Sequence, residues 1–264
     1  KYISKILDIL IALVLLLFFS SFGFRDGRTS GWYQQFFPNM NGSTITNMTF
    51  LDSLTGFAVT NSNSSNQSYI LKTTNGGDNW NIQITTYPNF NKISFVDQNN
   101  GFASAYTDAL FKTTNGGSNW FAQSNNGIFP NDMAVLNIDT ILYVRSDIID
   151  GGVYRTTNGG LIWQALGQVG GSGQPSEIYM FDKNIGFNCG TSGMKKTTNG
   201  GVNWFLIPNE VFLDIQLIDS SIGWRCNGDI KKTTDGGLTW TLQQLPQILE
   251  NSMLKLSISS INKL

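Results

Sequence analysis

Residues 72–80 read KTTNGGDNW, and the chain repeats nearly the same phrase four more times. It returns as KTTNGGSNW from Lys112, RTTNGGLIW from Arg155, KTTNGGVNW from Lys196 and KTTDGGLTW from Lys232. The closing tryptophans, Trp80, Trp120, Trp163, Trp204 and Trp240, stand 40, 43, 41 and 36 residues apart. A period near 40 residues with strand-like content is the signature of propeller blades. The phrase itself has the chemistry of a tight turn. Its Asn or Asp accepts N–H bonds from its own turn and tolerates left-handed backbone. The paired glycines supply positive φ at little steric cost, and the Trp lays a large apolar area back over the hairpin. Nothing in the phrase is a nucleophile, a general acid or a metal cage.

A second phrase keeps step with the first: FLDSLTGF from Phe50, FVDQNNGF from Phe95, FDKNIGF from Phe181 and LIDSSIGW from Leu217. The third unit keeps only Ile138 and Asp139 and lacks the Gly. Together the phrases divide each unit into four strands, with the quoted stretch as the hairpin between the third and fourth. In the second unit the pattern predicts strands over 93–97, 101–106, 109–114 and 120–123. The expected fold is all-β, a β-propeller of four-stranded antiparallel blades over about 47–86, 88–125, 131–167, 175–208 and 211–245. Residues 31–36 read as an N-terminal strand and 252–264 as the start of a sixth blade. The pattern therefore predicts part of a six- to seven-bladed propeller that continues beyond Leu264.

Composition agrees with many short strands joined by turns: 28 Gly and 33 aromatic residues, with only 13% charged. A formal charge of −1 and the lack of any Lys/Arg run exclude nucleic acid as a partner. Lys1 and Lys5 precede an apolar run from Ile9 to Phe19, followed by Ser20, Ser21, Phe22 and Gly23. This is the layout of a signal peptide over 1–23, and the run is too short to span a bilayer. The expectation is export to a periplasm, thylakoid lumen or extracellular space, with membrane anchoring if the signal stays uncleaved. Cys189 and Cys226 each follow a core aromatic by two residues and share its strand face and burial; an exported chain permits a disulfide between them, and buried free thiols are the plainer reading.

The phrase resembles the Asp-box of sialidases, sortilin-type receptors and Asp-box glycoside hydrolases. With the second phrase included, the chain from about Trp32 onward resembles the photosystem II stability and assembly factor family of Asp-box (BNR-type) repeat propellers. The box positions are Thr73, Asn75, Gly77 and Trp80; Thr113, Asn115, Gly117 and Trp120; Thr156, Asn158, Gly160 and Trp163; Thr197, Asn199, Gly201 and Trp204; Thr233, Asp235, Gly237 and Trp240. The resemblance implies a protein that attends a membrane-protein complex during biogenesis, in a photosynthetic organism a photosystem II intermediate. It also leaves open a glycan-binding propeller or a sialidase-like hydrolase whose catalytic residues lie in further blades.

Asp52, Asp97, Asp139, Asp182 and Asp219 recur once per unit, which marks them as turn-formers. Catalytic carboxylates need unequal environments instead. Lys72, Lys112, Arg155, Lys196 and Lys232 occupy one repeated position, to be read either as stems packed on aromatic faces or as a basic ring for an acidic partner. Lys195 and Lys231 replace apolar residues of earlier units and predict a local positive patch. Residues 60–69 read as a solvated loop, and 168–175 as a loosened entry to the fourth unit. With five Arg, three Glu and no His, the chain lacks the inventory for a sialidase site or for His-based acid–base and metal chemistry. The reading is non-enzymatic, with no cofactor or required metal: a scaffold for a protein or membrane-protein complex, with a glycan as the alternative ligand through Trp32, Tyr33, Phe36 and Phe37.

Overall fold

The computed structural model describes residues 35–87, 89–107, 109–124, 129–145, 151–166 and 175–244. The chain divides into two compact units, Lys1–Gln35 and Phe36–Leu264, and every described strand belongs to the second. The expected export signal, residues 31–34, residues 168–174 and the partial blade 252–264 lie outside the described residues; Gln35 and Phe36 are described and lie in no strand.

Twenty strands form five four-stranded antiparallel sheets, with no helix among the described residues. Blade one comprises β1 (Ile45–Phe50), β2 (Gly56–Thr60), β3 (Ser68–Thr73) and β4 (Asn81–Thr86). Blade two comprises β5 (Phe90–Phe95), β6 (Gly101–Ala105), β7 (Leu110–Thr113) and β8 (Phe121–Gln123). Blade three comprises β9 (Asp132–Val135), β10 (Ile141–Arg145), β11 (Gly152–Thr156) and β12 (Gln164–Ala165). Blade four comprises β13 (Pro175–Met180), β14 (Gly186–Gly190), β15 (Gly193–Thr197) and β16 (Phe205–Ile207). Blade five comprises β17 (Asp214–Leu217), β18 (Gly223–Cys226), β19 (Ile230–Thr233) and β20 (Thr241–Leu242). Each sheet is a simple meander.

First strands lie against one another in sequence order, β1 on β5, β5 on β9, β9 on β13 and β13 on β17, so each blade's first strand is its innermost. The second strands are covered on both faces, by neighbouring blades and, on the Ala58 face of blade one, by Phe37 and Met40. That is why GFAVT and GFASA read as continuous runs of apolar and small residues, buried at every position, and not as an alternation. Fourth strands are exposed, as β12 and β20 show.

Cores form between blades. Phe57, Val59 and Ile70 of blade one interleave with Phe90, Ile93, Ala103 and Phe111 of blade two. Phe187, Cys189 and Met194 of blade four meet Ile215 and Leu217 of blade five. Each such large side chain taken out of water contributes about 1.5–3 kcal/mol.

The Gly of the second phrase answers to packing. A Cβ on Gly56 would stand 2.7 Å from the Phe50 ring, and one on Gly101 2.6 Å from the Phe95 ring. In blade three the residue six places upstream is the smaller Val135, and Ile141 takes the Gly position. The repeated carboxylates form turns as their recurrence implies: Asp52, Asp97, Asp182 and Asp219 each accept two backbone N–H bonds at 2.7–2.8 Å. Asp139 does not. In blade three that role falls to Asn137, which accepts the N–H groups of Asp139 and Thr140 at 2.9 and 2.8 Å. Asn137 stands four residues before its strand, as the other four carboxylates do, so the turn follows spacing and not the letter Asp.

The loop over 60–69 is no solvated slack. Asn63 is buried, accepts the Ser65 and Gln67 N–H groups at 2.8 and 3.0 Å, and donates to the Met40 carbonyl. Cys189 and Cys226 are buried free thiols. Burial pushes the Cys189 thiol up, while the Phe212 N–H donated to its Sγ at 3.3 Å pulls the other way.

Candidate protein-binding surface

The five hairpins share one hydrogen-bond circuit. Thr73 Oγ1 accepts the Gly77 N–H and donates to Asn75 Oδ1, which in turn accepts the Asn79 N–H, all at 2.9 Å. The Thr113–Asn115–Gly117, Thr156–Asn158–Gly160, Thr197–Asn199–Gly201 and Thr233–Asp235–Gly237 sets repeat it at 2.8–3.1 Å. All ten of the paired glycines have positive φ, and the five threonines are buried. The tryptophans pack against neighbouring side chains. Trp163 stacks on Tyr143 with 4.1 Å between centroids, Trp80 on Phe37 at 5.1 Å, and Trp120 meets Phe95 edge-on. Trp204 joins the cluster around Leu142, and Trp240 meets Phe187 of the preceding blade.

The repeated cations bind the blades to one another. Lys72 crosses to blade two and donates to the Gly116 carbonyl at 2.7 Å; Lys196 crosses to blade five and donates to Gly236 at 2.6 Å. Arg155 reaches Gly200 at 3.4 Å, and the Lys112 ammonium lies against Gly159, whose carbonyl accepts from Gln123 at 2.8 Å. The lysine ammonium groups lie over aromatic faces: Lys72 over Phe57 and Lys112 over Phe102 at 5.3 Å, Lys196 over Phe187 at 5.9 Å, Lys232 over Trp224 at 5.2 Å. For Lys72, Lys112, Arg155 and Lys196 the position is a staple between a strand of one blade and the Gly-Gly turn of the next, so these four do not present a free basic ring.

Lys195 and Lys231 form no surface patch either. Lys195 is 8% exposed, and burial pulls its ammonium below the usual value. Lys231 joins a junction between blades four and five that sequence alone did not assemble. Arg225, 3% exposed, donates through Nε and Nη2 to Glu210 Oε2 at 3.0 and 2.6 Å and through Nη1 to Asp229. Lys231 donates to the other Glu210 oxygen at 2.8 Å. A buried guanidinium is tolerable only with its charge matched in this way.

A further row emerges around the innermost strands. Asn47, Lys92, Asp132, Glu177 and Asp214 each stand nine residues before the first residue of their blade's second strand, a spacing readable in the sequence once those strands are known. Asn47 Oδ1 accepts the Ile93 N–H of the next blade at 3.2 Å, and Asp132 Oδ2 accepts that of Ile178 at 3.0 Å. Lys92 pairs with Asp132 at 3.0 Å. Burial alone would lower the Lys92 ammonium, but Asp132, backed by Glu177 and Asp214, holds it above the ordinary value. Nearby, Tyr106 is half exposed, and burial followed by the charges of Glu177 and Asp132 pushes its phenol up. These groups suture neighbouring blades. Among the described residues no group of three or more acidic or thiol side chains is arranged to hold a metal ion.

The fold and these circuits define a repeat β-propeller whose recurring polar groups are engaged in turns and blade junctions. Residues 27–179 match the family model described as photosynthesis system II assembly factor YCF48, and the chain belongs to that family. No match was found among curated proteins. Among solved structures, the chain is similar to YCF48 bound to a D1 peptide, at 19% identity over 76% of this chain and 82% of that one, with a TM-score of 0.45. A GH74 enzyme from Niastella koreensis is 18% identical over 75% of this chain, which spans 38% of that enzyme, with a TM-score of 0.59. A nidogen/laminin complex structure gives 10% identity, 79% and 82% coverage, and a TM-score of 0.61. At under 25% identity none of the three shows more than a likeness of fold.

Proposed function

We propose that the chain is an exported, non-enzymatic scaffold that binds a protein or membrane-protein complex, in the manner of photosystem II assembly factors. Membership of the assembly-factor family over residues 27–179 carries this reading. The hairpin circuits and the cation staples support it from the physical side, because they assign the repeated polar groups to architecture and leave recognition to the residues that differ between blades. A propeller fold by itself decides nothing about activity, since GH74 enzymes share it. Of the aromatics offered for glycan stacking, Phe37 is held against Trp80 while Phe36 is 71% exposed.

Affinity capture with residues 24–264 on solubilised membranes of the source organism tests the reading. Enrichment of one membrane-protein complex is the expected outcome. Binding on a glycan array, or turnover of an aryl glycoside by the same preparation, would replace the scaffold with the alternative ligand class.

A further inference from the structure

We propose that the hairpin face of blades three to five is the docking surface, and that it takes a protein segment alternating apolar with basic side chains. This rests on the protein-binding reading above. In each blade the first turn and the Gly-Gly hairpin lie at the same end and are bonded together. Gly159 donates to the Asp139 carbonyl at 2.9 Å, Gly200 to Asn184 at 2.9 Å and Gly236 to Ser221 at 2.8 Å. Equivalent turns of successive blades therefore present one face.

The two residues between the second Gly and the Trp form the hairpin tip. In blades one and two they are Asp78, Asn79, Ser118 and Asn119. In blades three to five the tips carry Leu161 and Ile162, each 68% exposed, Val202 at 50% and Leu238 at 60%. The hairpin circuit does not call for them, since polar tips close the same turn in blades one and two. Apolar groups concentrated on one part of a surface mark an interaction site.

The charge around them selects the occupant. Asp139, Asp219 and Asp235 are exposed beside these tips, while Arg155 and Lys196 are already turned onto the Gly200 and Gly236 carbonyls. Lys183 is the one cation in the described turns of these blades. The Ser221 hydroxyl and backbone N–H groups hold Asp219 low. Burial works against Asp235, but the Thr239 hydroxyl and backbone outweigh it and lower its carboxyl to about 2. Carboxylates fixed in the charged form cannot follow leucines into hydrocarbon, which argues against a lipid surface. A basic and apolar protein segment complements both features.

The test uses the full chain and two fluorescent synthetic peptides of equal length and leucine content, one leucine–arginine and one leucine–glutamate. Fluorescence anisotropy should show the basic peptide binding at least ~10-fold more tightly, with affinity falling as salt rises. The combined variant L161S/I162S/V202S/L238S, which gives these blades polar tips like those of blades one and two, should lose at least ~10-fold, while Ala at Asn79 and Asn119 should change little. Equal binding of the two peptides, or no loss in the serine variant, overturns the proposal, as does binding to phosphatidylcholine vesicles that the serine variant abolishes. If that variant still captures the same complex as the unaltered chain, this face is wrong and the scaffold reading stands; if the unaltered chain captures nothing, the scaffold reading itself fails.

Discussion

Replacing Gly117 by Ala should destabilise the propeller by about 2–5 kcal/mol, from two separable causes. Gly117 has φ of 77°, where a Cβ costs about 1–2 kcal/mol. The new methyl would also stand 2.4 Å from Phe57 Cε1 and 3.0 Å from Cζ. Phe57 cannot swing aside, because it is fully buried, stacked on Phe95 at 4.2 Å and covered by the Lys72 ammonium. Overpacking of this kind costs about 1–3 kcal/mol. Gly42 supplies the control: its φ is 88°, but nothing lies within 4 Å of where its Cβ would be, so Gly42→Ala should cost only the backbone share, about 1–2 kcal/mol. Urea unfolding followed by tryptophan fluorescence measures both. Trimming Phe57 to Leu should recover part of the Gly117→Ala loss, a favourable coupling in a double-mutant cycle. Equal losses for the two glycine variants, or no coupling to Phe57, would refute the reasoning that Gly117 leaves room for Phe57 of the neighbouring blade.

Thr113→Val keeps the shape but leaves the buried Gly117 N–H without its acceptor, and should cost about 1–3 kcal/mol in the same unfolding assay. Glu210→Ala strands the buried Arg225 and should cost about 3–5 kcal/mol; the drop in melting temperature should be clearly larger than for Asp229→Ala, whose carboxylate is 37% exposed. Asp52, Asp97, Asp219 and Asp235 all lie below the ordinary carboxylate value. Their folded values being depressed, they stabilise fully above the unfolded value near 3.8 and lose that contribution as pH falls through the folded values, about 2 for Asp235. Stability measured across that acid window should fall less steeply in Asp235→Asn, which has the same acceptor geometry as the other hairpins. Lys72→Met removes both the charged bond to the Gly116 carbonyl and the ammonium over Phe57, so it should cost about 1.5–3 kcal/mol in thermal unfolding.

The five hairpins and their blades were legible in KTTNGGDNW and its copies because each circuit closes within a few residues: Thr73 to Gly77, Asn75 to Asn79. Chain-local bonds of this kind depend on spacing and little else. The same locality makes Asn137 recoverable from its distance to the next strand, although Asp139 is the residue that catches the eye. The destination of the cations was not legible. Lys72 and Gly116 are 44 residues apart, and whether a lysine at that position points to solvent or to the next turn depends on how one sheet is rotated onto its neighbour. The burial of Lys195, the pairing of Arg225 with Glu210 and the Lys92–Asp132 suture have the same origin. Sequence by itself determined the repeated unit, since the turn's hydrogen bonds need no partner beyond their own strand ends. Tertiary structure alone decided which charges remain at the surface, because that follows from the contact between blades, where burial and carbonyl groups distant in the chain compete with water for every cation.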